Sequence, residues 1–148
     1  EISSTELNSS GKINNLMIYY NGTERLDFDG DTQLIGNLFV NKADLIFTAG
    51  SSIKGHVISN GNNVEITGGT NVESRVIYAP EAKVNLHGGG KVKGSIIAKT
   101  FNASGGTELN YEDVPFYEDL FEEILDFDNT SGGNGSNNGE NKIIWYNK

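Results

Sequence analysis

Four short segments of this chain repeat one another at a nearly fixed period. LIGNLFV (34–40), IKGHVIS (53–59), VESRVIY (72–78) and VKGSIIA (92–98) begin at Leu34, Ile53, Val72 and Val92, giving steps of 19, 19 and 20 residues. Other columns keep the same step. Leu26, Leu45, Val64, Val84 and Phe101 form one, and two residues later Phe28, Phe47, Ile66, Leu86 and Ala103 form another. Apolar residues at i and i+2 face the same side of a strand. A glycine turn follows each pair: GDT at 30–32, GSS at 50–52, GGT at 68–70, GGG at 88–90 and GGT at 105–107. Next comes the column Leu34, Ile53, Val72, Val92 and Leu109, then a small residue (Gly36, Gly55, Ser74 or Gly94), then a closing strand with Leu38, Val57, Val76 and Ile96. A fainter copy lays Ile13, Met17, Ile18 and Tyr19 on Leu34, Leu38, Phe39 and Val40, at a step of 21.

One such unit cannot bury its own apolar side. Stacked units can, like residue over like, at about 4.8 Å per coil. A β-sandwich would give these columns no reason to stay in register. Crossovers between parallel strands are right-handed. The period therefore predicts an all-β chain: a right-handed parallel β-solenoid of five to six coils, 19–20 residues each, over residues 5–111. Composition agrees with turns and strands, with Gly 19 and Pro 2 in 148 residues.

A solenoid leaves a bare rung at each end, and the sequence changes character where a cover is needed. EDVPFYEDLFEEILDFDN (112–129) places Phe116, Leu120, Ile124 and Phe127 near helical spacing, with Asp113 and Pro115 suited to a first turn. This predicts an acidic amphipathic helix as a C-terminal cap, folded over the last rung or along one side. TSGGNGSNNGEN (130–141) has linker composition. KIIWYNK (142–148) then predicts a strand returning to the body, near LMIYYN at 16–21, within a single domain overall.

Charge divides the same way. Residues 1–99 hold ten acids and nine Lys or Arg, and residues 100–148 hold ten acids and two Lys, for a net −9. That balance argues against a nucleic-acid partner, which would need a basic surface. With Cys 0, disulfides, thiol nucleophiles and Cys-ligated metals are excluded. No apolar run approaches the roughly 20 residues of a membrane span.

Several stretches resemble chemistry. HGGG (87–90) spells an esterase oxyanion tetrapeptide, yet the chain has no G-x-S-x-G elbow, and the glycines fall in the turn slot of the repeat. The P-loop pattern also fails, because Gly94 is followed by Ser95 without Lys. Asp27, Asp29 and Asp31 alternate as in a calcium loop, although an EF-hand would want Gly and Glu where Thr32 and Leu38 stand. They are the one metal candidate, for calcium; no catalytic residue and no other cofactor is indicated. His56 and His87 occupy different slots of the coil, so no two-histidine site follows. Thr32, Ser51, Thr70 and Thr107 share a slot and suggest a flat hydroxyl row for ice or glycan, broken at Gly90.

KGSIIAKTFNASGGTELNYEDV (93–114) resembles the solenoid domain of PilX-type type IV pilus assembly proteins and related minor-pilin-like proteins. The matching residues are Gly94, Ile96, Ile97, Ala98, Gly105, Gly106, Tyr111, Glu112 and Asp113, and IIWYNK at the end is similar to that family's tryptophan-containing terminus. The resemblance implies a non-enzymatic structural or adhesive module at the bacterial cell surface, the soluble domain of a minor pilin or pilus-associated protein. Its partners would be other pilus or cell-surface proteins, with glycan as a further ligand class. A different resemblance, to pectin-cleaving β-helices, would assign Asp27 and Asp29 with Arg25 or Arg75 to a calcium-assisted polysaccharide site. A third, to bactofilin-like scaffolds, would imply end-to-end polymerisation, which a capping helix and a returning strand oppose.

Overall fold

The computed structural model describes residues 2–3, 5–74, 76–111 and 142–146. The expected capping helix (112–129), the linker (130–141) and Arg75 lie outside them. The described chain is all-β, a parallel β-solenoid of about five turns, with no α-helix among the described residues.

Each full coil contributes a strand to each of three faces. The first coil holds β1 (Ile2–Ser3), β2 (Glu6–Leu7) and β3 (Leu16–Tyr20). The second holds β4 (Leu26–Asp29), β5 (Gln33–Ile35) and β6 (Asn37–Val40), and the third β7 (Leu45–Phe47), β8 (Ser52–Lys54) and β9 (Val57–Ser59). The fourth begins with β10 (Asn63–Ile66) and β11 (Asn71–Glu73). β12 (Val76–Leu86) then bends through a corner, closing the fourth coil and opening the fifth. β13 (Lys91–Lys93) follows, and β14 (Ser95–Ala103) repeats the bend before β15 (Glu108–Asn110) ends the stack. Every ladder among them is parallel, and β16 (Lys142–Tyr146) pairs parallel with β3, outside the first coil.

The core is the set of columns. On the first face Leu26, Leu45, Val64, Val84 and Phe101 pair in register, as do Phe28, Phe47, Ile66, Leu86 and Ala103. On the second, Leu7 precedes Leu34, Ile53, Val72, Val92 and Leu109. Like side chains interlock along the axis, and the Phe28 and Phe47 rings stack with centroids 5.2 Å apart. Burial of one such side chain contributes about 1.5–3 kcal/mol.

The third face departs from the sequence reading by one residue in two places. Ile77, not Val76, pairs with Val57 and Ile96. Four residues separate Ile53 from Val57, but five separate Val72 from Ile77. The extra residue sits at the corner that carries Ser74 in place of glycine, where the Ser74 hydroxyl donates to the Val76 carbonyl at 2.8 Å. In the first coil Ile18, not Met17, pairs with Leu38. That moves the step from 21 to 20 and turns Leu16, Ile18 and Tyr20 inward. Ile13, expected in the second-face column, lies in a short 3-10 turn (Ile13–Asn15), and Leu7 fills the column instead.

Two backbone demands explain most of the glycines. The turn between first and second faces uses two successive residues of positive φ: Gly30 and Asp31, Ala49 and Gly50, Gly68 and Gly69, Gly88 and Gly89, Gly105 and Gly106. The corner before the third face holds Gly55 at φ 143 and Gly94 at φ 136. A Cβ on Gly55 would run into the Gly36 carbonyl of the coil before it.

Candidate functional site

The aspartates of the calcium candidate share β4 and its turn, and the carboxylates of Asp27 and Asp29 turn to different partners. Asp27 takes two bonds from Arg25, at 2.7 Å from Nε and 2.8 Å from Nη2. That hydrogen bond, and then the charge of Asp27, raise the guanidinium above its already high value. Asp29 accepts from the Gly30 amide at 2.7 Å. Asp31 lies in the turn at φ 57, its amide donating to the Ala49 carbonyl of the next coil. Among the described residues no group of three His, Asp or Glu converges as a metal site.

HGGG is rung and turn. Leu86 is buried, Gly88 and Gly89 supply the positive-φ pair, and His87 points outward. Its ring bridges two coils. Nε2 lies 2.9 Å from Oε1 of Glu65, and Nδ1 lies 3.1 Å from the Thr67 hydroxyl. A carboxylate only accepts, so in the neutral ring Nε2 carries the proton and Nδ1 accepts from Thr67. The order hydroxyl, imidazole, carboxylate is that of a nucleophile relay. Here it lies on the outer surface of the coil, with His87 41% and Glu65 31% exposed. What it demonstrably does is brace the fourth coil to the fifth. His56 sits at a third-face corner, its amide donating to Asn37 Oδ1 at 3.1 Å.

The hydroxyl row is internal up to its last member, Thr107, which is half-buried. Thr32, Ser51 and Thr70 are fully buried. Thr32 and Thr70 each donate to the carbonyl three residues back at 2.6 Å, closing the turn, and Ser51 meets Thr70 at 3.3 Å. These residues cannot face ice or glycan, which corrects the surface reading of the slot.

The outer surfaces are ladders. On the first face Asp27, Ile46, Glu65, Asn85 and Asn102 lie between the core columns, with Asn102 donating to Asn85 and Asn85 to Asn63, each at 3.2 Å. On the second, Lys54 pairs with Glu73 at 3.7 Å and Lys91 with Glu108 at 3.0 Å, each across adjacent coils. The third face differs. Its outward column is Tyr19, Phe39, Ile58, Tyr78 and Ile97, one per coil in register. Sequence reasoning missed it. The signal was the loss of alternation in LFV, VIS, VIY and SIIA, where a half-buried strand would place a polar residue between two core ones.

Residues 1–114, the whole of the solenoid stack, match the domain of unknown function DUF7305, and the chain belongs to that family. No curated protein and no solved structure matches it.

Proposed function

We propose that this member of the DUF7305 family is a non-enzymatic structural or adhesive module, worn outside a bacterial cell in the manner of a minor-pilin-like ectodomain. The observation that carries the reading is the cross-braced polar exterior of the first and second faces. Ion pairs, the Asn ladder and the His87 bridge tie successive coils together from the third coil to the end of the stack and hold outward polar groups at fixed spacing along the axis. Such a surface works by shape and lateral contact with neighbouring pilus or cell-surface proteins. The solenoid is right-handed in this reading, because parallel crossovers pack back onto their sheet in that hand. Residues 112–129 form the amphipathic helix that covers apolar surface the rungs leave bare.

The pairing of β16 with β3 opposes an end-to-end scaffold, since it occupies the third-face edge that a second copy would need. A carbohydrate module draws less support. The Tyr19 and Phe39 rings stack on each other at 4.7 Å and 7°, so those faces are turned to one another rather than to a sugar.

Surface labelling of intact source cells with a membrane-impermeant amine reagent tests the location. Labelling of the chain without lysis is expected; labelling only after lysis would overturn the reading. Light scattering over a concentration series should report monomers, whereas filaments would restore the scaffold. Incubation with polyuronate and calcium should release no reducing ends.

A further inference from the structure

Among the described residues only the third face carries an apolar column on its outside. The Tyr19, Phe39, Ile58, Tyr78 and Ile97 column runs the length of the stack, about 19 Å over four steps of the coil spacing. Ile97 is 49% exposed. Ile58, at mid-column, is 9% exposed although it stands outside the core cluster. A continuous apolar row on the outside of a sheet is an association surface, and the path of the chain names what lies on it.

The solenoid is last described at Tyr111, just past β15, where earlier coils turn from the second face into the third. The chain is next described at Lys142, in the strand beside β3, on the third face and beyond the first coil. Residues 112–141 thus join the two ends of one face, the face with the apolar exterior. Within 112–129 Phe116, Leu120, Ile124 and Phe127 recur at helical spacing among eight acids. Phe116 to Phe127 spans eleven residues, about 16 Å at helical rise, close to the length of the column.

We propose that residues 112–129 lie lengthwise on the third face rather than across the last rung. Their apolar row seats on the column, Phe116 toward Ile97 and Phe127 toward Tyr19, with the acids turned to water. The solenoid then shows partners its first and second faces and one acidic ridge. This rests on the amphipathic character proposed for the segment, and not on the cellular location.

The chain has Cys 0, so introduced thiols report cleanly. Under mild oxidation Ile58→Cys with Ile124→Cys should form a disulfide within the monomer, while Lys54→Cys with Ile124→Cys, whose first thiol is on the second face, should not. A disulfide in the second pair but not the first would overturn the proposal. A disulfide joining two chains through position 58 would overturn it in favour of a second copy. A fold-independent check is hydroxyl-radical footprinting of the full chain carrying Leu120→Asp and Ile124→Asp. Oxidation of Tyr19, Phe39 and Tyr78 should rise several-fold while far-ultraviolet circular dichroism stays unchanged. Unaltered footprints at retained dichroism would also sink the idea.

Discussion

The middle coils and the last coil draw on the same columns and differ in what lies above and below. Phe47, in the third coil, is fully buried, while Phe101, in the column beside it, is 40% exposed. Val72 is fully buried, and Leu109, two coils further along its column, is 47% exposed. Residue type is not what separates them. Each rung is covered by its neighbours, so stability in a stack comes from adjacency, and a terminal rung receives half of it.

Alanine substitution at the two phenylalanines sets the widest contrast. Phe47→Ala should lose about 3–5 kcal/mol in urea unfolding, the cost of a large core cavity. Phe101→Ala should lose about half as much or less, because part of its surface is already wet. Equal losses would show that the last rung is as covered as the middle ones. Next comes the corner. Gly55→Ala meets both a positive φ and the Gly36 carbonyl, and should cost more than the about 1 kcal/mol of an unfavourable φ alone. Gly89→Ala, with open space around its Cβ, should stay near that lower figure, and the difference in Tm checks it. Thr70→Val removes a hydroxyl that closes a buried turn and should cost about 1–2 kcal/mol. Thr107→Val, in the last turn, should cost less. The smallest effect belongs to the exterior. His87→Ala breaks two half-exposed contacts and should cost under about 1 kcal/mol in the same urea assay. Millimolar calcium should leave Tm where it was, since the Asp27 and Asp29 carboxylates are turned to separate partners and Asp31 lies beyond the strand, in the turn.

The two faces that were easiest to read are those where alternation is clean. LDF, VEI and VNL carry a core residue at each end and a polar one between, and fix which side is in. On the third face MIYY and VIY are apolar at successive positions, so a shift of one residue leaves the pattern intact while reversing every side chain. The pattern therefore accommodates Met17 and Val76 in the core column as readily as Ile18 and Ile77, which occupy it. The uncertainty and the missed exterior column have one cause: a strand with apolar residues on both sides does not reveal its parity. The aspartate alternation was legible as well, but β4 ends at Asp29, and a turn residue does not continue a strand's face. The burial of the hydroxyl row was hidden for a different reason. A Thr beside a glycine turn looks solvent-facing until its bond to the carbonyl three residues back is seen.

The placement of β16 has a mechanical consequence. β1 and β16 both belong to the pole that bears the first coil, on neighbouring faces. Force applied between residues 2 and 146 would therefore load the β1–β4 and β3–β16 ladders and leave the ladders beyond them slack. The rest of the body, with Phe101 and Leu109 at its far pole, would stay out of the line of tension.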